Sequence, residues 1–142
     1  MLGDSLTAGY GVKQGQAFTD QLSAALQQAG RDVTVINGGV SGDTTAGGAG
    51  RLGWLLADRP DAAIVELGAN DALRGLDPAA TRANLRQILT ELRTANIPVL
   101  LAGMLAPPNL GREYGEAFNK IYPDLAEEKG VLLYPRPAEG PV

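Results

Sequence analysis

Short apolar runs alternate with segments of helical period along this chain, and that alternation restricts the fold more than any other feature. Phe18, Leu22, Ala25, Leu26 and Ala29 recur at helical spacing and stop at Gly30, which predicts an amphipathic helix over 17–29. The β-branched run at 33–36 is too short for a helix and reads as a buried strand. A short helix carrying Leu52, Leu55 and Leu56 should end before Pro60, and 62–67 is the next strand. Asp77-Pro78 is an N-cap followed by proline at the first helical position, with Leu85, Ile88, Leu89 and Leu92 on one face behind it. A strand at 98–102 follows, then a helix over about 114–128 carrying Phe118, Ile121, Tyr122 and Leu125, kinked or restarted at Pro123, then a strand at 131–134. Strands alternating with such helices form βαβ units with right-handed crossovers. The expectation is an α/β fold: three layers, flavodoxin-like, with a doubly wound parallel sheet of five strands, counting a clipped one before Gly3. One domain over 1–135 and an irregular tail over 136–142 account for the length.

Charge narrows the partners. Twelve basic against sixteen acidic residues give a net charge of −4, and no Lys/Arg run is present, which argues against nucleic acid and anionic membrane surfaces. A small molecule is the expected partner, with no cofactor and no metal. No apolar run approaches the length of a membrane span. The absence of cysteine excludes disulfides, thiolate metal sites and a cysteine nucleophile. Histidine is absent as well.

Three stretches carry candidate chemistry. Leu2-Gly3-Asp4-Ser5-Leu6 reads as the end of a buried strand running into a tight turn, with Asp4 holding the turn, Leu6 dropping back into the core and the Ser5 hydroxyl presented at the apex. The glycine-rich segment 37–45 reads as a loop closed by Asp43 or Thr44 as a helix N-cap, and 68–71 as the turn ending the strand at 62–67. Each has an ordinary structural reading: Gly42 as a positive-φ turn residue, Asn70-Asp71 as an Asx turn, and Asp4, Asp43 and Asp71 as turn and cap residues. Pro107, Pro108 and Tyr114 read as loop-shaping residues, and Trp54 as packing. Function is carried by the combination, because loops after the first three strands open on one sheet edge, where Ser5, Gly42 and Asn70 can meet.

Leu2 to Tyr10, Gly39-Val40-Ser41-Gly42-Asp43-Thr44 and Glu66-Leu67-Gly68-Ala69-Asn70-Asp71 resemble the first three sequence blocks of the SGNH/GDSL hydrolases. The similarity is closest to the bacterial group of arylesterases, acyl-CoA thioesterase I and lysophospholipase L1, and it runs from Leu2 to Pro135. It implies a serine ester hydrolase that acts on an ester or thioester through an acyl-enzyme. Ser5 would be the nucleophile, and the oxyanion would be held by the N–H groups of Ser5 and Gly42 and the side-chain amide of Asn70. Gly42 has no Cβ to hinder approach, and Asn70 donates without bringing charge. One such donor is worth about 3–4 kcal/mol in acyl-transfer sites. The resemblance also implies a periplasmic or secreted location, although no signal peptide is seen.

One block of that pattern has no counterpart. These hydrolases carry Asp-x-x-His after the last strand, and here Tyr134-Pro135 runs into Arg136-Pro137-Ala138-Glu139-Gly140-Pro141-Val142. The expectation is therefore an SGNH hydrolase fold truncated at both ends, prone to self-association as a homo-oligomer, with impaired activity. Asp4, Asp43, Glu66 or Asp71 could replace the missing base only if burial raised its pKa within reach of Ser5. The competing reading is a non-catalytic remnant that binds acyl ligands. A nucleotide binder is disfavoured, because the loop has neither Gly-x-Gly-x-x-Gly nor a Walker lysine.

Overall fold

A computed structural model describes residues 1–134, so the tail expected at 136–142 lies outside the described residues. Five parallel strands form one sheet in the order β2-β1-β3-β4-β5: β1 Leu2–Gly3, β2 Gly38–Gly39, β3 Ala63–Glu66, β4 Val99–Ala102 and β5 Leu132–Tyr134. The helices are α1 Ser5–Ala8, α2 Phe18–Gln28, α3 Thr45–Leu56, α4 Ala69–Leu73, α5 Pro78–Thr94, α6 Arg112–Asn119 and α7 Ile121–Lys129. The order reverses direction between β1 and β3, which makes the loops after β1, β2 and β3 neighbours at the carboxyl edge.

The chain enters α5 through the expected cap, with Asp77 Oδ1 accepting from the Ala79 N–H at 2.9 Å and proline at the first helical position. Its apolar stripe is entirely buried, with Leu85, Ile88 and Leu89 fully inaccessible to solvent. The stripe packs with Val65, Leu67 and Leu101 of the sheet region and with Phe118, Tyr122 and Leu125 in one core. Phe118 lies between the rings of Tyr114 and Tyr122, at centroid distances of 6.2 and 5.8 Å. The Tyr122 hydroxyl, buried in this core, donates to the Leu67 carbonyl at 2.8 Å, so its polar end is satisfied.

Several expectations are corrected. The strand expected at 33–36 is absent, and the paired residues are Gly38 and Gly39, inside what read as a loop. Register explains the shift: Leu2 faces Gly38, and the Met1 ammonium donates to the Ile36 carbonyl at 2.7 Å, so 33–36 lie beyond the residues β1 can pair with. Leu6 does not return to the core but is 58% exposed, and Thr7 takes the buried position instead. Trp54 is 83% exposed rather than packed. The break between α6 and α7 falls at Lys120, not Pro123; Pro123 sits in the first turn of α7, where a missing N–H costs no helical bond of that segment. The turns after β1 and β3 each wind into a single helical stretch, α1 and α4.

Candidate active site at the carboxyl edge of the sheet

Ser5 is the first residue of α1, directly after β1, and is partly exposed. Asp4 caps this turn through Oδ1, which accepts from the Leu6 N–H at 3.0 Å. The turn is tight: a Cβ on Gly3 would collide with the Thr7 side chain, and one on Gly39 with the backbone of Ala8. Only glycine allows α1 to lie this close to the ends of β1 and β2. As the first residue of a helix, Ser5 has an N–H with no carbonyl four residues back to receive it.

Gly42 stands in the loop after β2 with φ +79°. Its carbonyl accepts from Arg74 Nη2 at 2.7 Å, while its N–H makes no hydrogen bond among the described residues. Asn70 lies in the first turn of α4, after β3, and its Nδ2 donates to the Asp43 carbonyl at 2.8 Å. This bond ties the loop after β3 to the loop carrying Gly42. An amide nitrogen has two hydrogens, so one remains available for a ligand oxygen.

Asp71 acts as the holder of a helix start, as its sequence reading suggested. Buried, it accepts from the Thr45 N–H at 2.9 Å, the Thr45 hydroxyl at 2.6 Å and the Thr81 hydroxyl at 3.1 Å. The same network fixes α3 and α5 behind the loops. Thr44, of the two N-cap candidates, is the one that caps α3, its hydroxyl accepting from the Gly47 N–H at 3.2 Å. Asp43 instead pairs with Arg51 at 2.6 Å. Tyr114 donates to the Leu76 carbonyl at 2.5 Å, in keeping with a loop-shaping role.

Two residues were missed as parts of the edge. Arg51, on α3, spreads its guanidinium over the site's foundation: Nε to Asp43, Nη1 to the Gly38 carbonyl at 2.7 Å and Nη2 to the Gly3 carbonyl at 2.8 Å. One planar fork thus clamps the ends of β1 and β2 and the loop between β2 and α3. The signal was an arginine beside Leu52 on a helix that follows the glycine-rich loop. Arg74 was the second, since its contact is with a backbone carbonyl that no side-chain pattern reveals. Glu66, buried at the end of β3, is pushed up to about 9 by burial first and then by the Asp4 charge and hydrogen bond. Its carboxyl meets the Asp4 N–H, and no hydrogen bond joins it to Ser5 among the described residues.

Comparison with known proteins agrees with this architecture. The model of the GDSL-like lipase/acylhydrolase family matches residues 1–139. An arylesterase of Vibrio mimicus is 43% identical over 136 residues, which is 95% of this chain and 68% of the relative. Thioesterase 1/protease 1/lysophospholipase L1 of Escherichia coli K12 is 44% identical over 136 residues, 95% of this chain and 64% of that one. Among solved structures, AlinE4, an SGNH-hydrolase family esterase, superposes with a TM-score of 0.90 at 51% identity, over 93% of this chain and 71% of its own. The five-stranded parallel sheet is thus the SGNH hydrolase fold, and about two thirds of each relative is represented.

Proposed function

Because the chain belongs to the GDSL-like lipase/acylhydrolase family, we propose that its site is that of a serine ester hydrolase of the arylesterase, thioesterase and lysophospholipase type. The observation that carries this reading is the meeting of the loops after β1, β2 and β3, with the Ser5 turn, the Gly42 loop and the Asn70 amide at one edge. The Ser5 hydroxyl attacks the carbonyl carbon of an ester or thioester. The tetrahedral adduct expels the alcohol or thiol, leaving an acyl group on Ser5 that water removes. The free N–H of Gly42, the first-turn N–H of Ser5 and the second hydrogen of the Asn70 amide are the donors for the developing oxyanion.

The serine proton is the weak point of the chemistry in these 142 residues, which contain no histidine. An oxyanion hole and binding alone leave a residual acceleration on the order of 10³–10⁴ over water. Slow turnover of activated aryl esters is expected, without an inflection near pH 6–7, where imidazole titrates. Steady-state kinetics of Asn70→Ala test the site: kcat should fall by about 10²–10³ with KM nearly unchanged. Equal turnover in wild type and variant removes Asn70 from the mechanism.

The absence of histidine favours a second reading, an acyl-ligand-binding protein without turnover. An ending with Asp-x-x-His taken from a relative and joined after residue 134 separates the two. If the rate and the inflection appear and Ser5→Ala abolishes both, the site is a hydrolase site; if ligand binds with no turnover in either form, it is a binding site.

A further inference from the structure

Two carboxyl groups are buried side by side beneath the nucleophile turn. Asp4 is fully inaccessible and Glu66 is 5% exposed. The Asp4 N–H points at Glu66 Oε2 at 3.5 Å, and the Glu66 carboxyl lies within hydrogen-bonding reach of the Asp4 carboxyl. Asp4 Oδ1 is committed to the Leu6 N–H. The remaining oxygens, Asp4 Oδ2 and Glu66 Oε1, are both buried with no donor, and Thr7, one turn on from Asp4, adds a third buried oxygen without a partner.

No cation relieves this pair among the described residues. Arg51 from α3 is the basic group clamped to β1, but its fork is taken by Asp43 and two backbone carbonyls. From α7 the Tyr122 hydroxyl faces the same region and is spent on the Leu67 carbonyl. The remaining acid nearby, Asp71 of α4, is satisfied by Thr45 and Thr81. Two adjacent buried carboxylates would be left facing each other, an arrangement that costs far more than neutralising one of them.

We propose that Asp4 and Glu66 share one proton, carried by Glu66 and donated to Asp4, and that this bond holds the turn presenting Ser5. One hydrogen held between the two carboxyl groups gives this pair, in which each carries an orphaned oxygen, a bond in place of a repulsion. Asp4 Oδ1 stays the acceptor for the cap. Glu66 is then a positioning residue that acts on the nucleophile through Asp4. Loss of the proton puts like charges in contact and loosens the turn, so the site should fail on the alkaline side. Burial, the Asp4 charge and the hydrogen bond to Asp4, acting together to push Glu66 up to about 9, set where that happens. The catalytic half of the inference rests on Ser5 being the nucleophile; the shared proton does not.

Carbon-13 NMR of the chain labelled at glutamate carboxyls tests the proton. One resonance should keep its protonated shift at pH 7, titrate near 9 and vanish in Glu66→Gln. If every glutamate carboxyl of the folded chain instead titrates below about pH 6, there is no shared proton and the inference falls. The positioning role is read from the rate at which an activated aryl phosphonate labels Ser5. Glu66→Gln, whose amide can donate as the acid does, should label at the wild-type neutral rate and lack the wild-type alkaline decline. Glu66→Leu should lose about tenfold or more at every pH. An identical alkaline decline in wild type and Glu66→Gln overturns the positioning role. If the glutamine variant does not fold, the wild-type titration still decides the proton. If Ser5 is labelled in no variant, the nucleophile assignment is what has failed, and the positioning role fails with it.

Discussion

The two faces of the sheet are built from the same strands, yet Val65 and Leu101 are fully buried on one while Ile64 and Leu100, one residue earlier in each strand, stay partly exposed on the other. The packed face carries α3, α5 and α7, whose leucines and aromatics form a single core. Right-handed crossovers put α2 on the opposite face. There Leu22 and Leu26 are only half-buried and Phe18 is 52% exposed. The strands are apolar on both sides, as in a sheet covered twice, but among the described residues the covering of the second side is thin. Glu66 follows Ile64 on the thinly covered side and is nevertheless sealed, because the α1 turn lies over it. The turn that carries Ser5 therefore also covers a buried acid, so the two are coupled.

The comparison breaks most readily in stability. Phe118→Ala should cost about 3–5 kcal/mol and Leu89→Ala about 2–5 kcal/mol, since both side chains are fully enclosed. Phe18→Ala, on the exposed stripe of α2, should stay within about 0.5 kcal/mol. Urea denaturation reads all three. A loss at Phe18 as large as that at Leu89 would mean that α2 is packed in solution and that the faces are equivalent.

The packed face was legible in the sequence and the other was not, for a physical reason. On α5, periodicity and burial agree: Leu85, Ile88, Leu89 and Leu92 are both the pattern and the core. On α2 the same kind of pattern marks a face that would suit a core, and pattern alone does not say whether a partner layer is there. The run at 33–36 failed likewise, because strand propensity describes a half-buried pleated surface and needs a neighbour to pair with. At the site, the positions of Ser5, Gly42 and Asn70 at strand ends followed from topology. Arg51 and the Asp4–Glu66 contact did not, since both join residues far apart in sequence through contacts that no local pattern encodes.

The exposed side gives the next prediction. Leu132 at 73% and Tyr134 at 48% exposure present apolar surface on the edge strand β5, and Phe18 at 52% presents more on α2. Self-association should follow, detected by light scattering as a mass that falls on dilution. Phe18→Lys and Leu132→Lys should shift the balance towards monomer, whereas an exposed substitution on the packed side, such as Gln87→Lys, should leave it unchanged. A dilution-insensitive monomer in the unmodified chain would show that the bare face is not sticky, and the contrast between faces would then concern stability alone.

The smallest effect asks what holds the packed face together at its rim. Arg86 of α5 grips Glu128 of α7 with two bonds of 2.9 and 3.1 Å, outside the apolar contact between the helices. The hydrogen bond from Arg86, with its charge assisting, holds Glu128 below the usual carboxylate range, and the same bond raises Arg86. Glu128 is an acid whose folded pKa is depressed, so its contribution is present above the unfolded value and is lost as pH falls through the folded one. Both groups are open to solvent, where ion pairs are weak and screened by salt. A double-mutant cycle of Arg86→Ala and Glu128→Ala should therefore find a coupling far smaller than the loss at Leu89, fading in acid and in high salt. If the coupling rivalled the Leu89 loss, or persisted in high salt, the packed face would owe its tightness to charge at its rim, and the apolar argument for the difference between the faces would have to be abandoned.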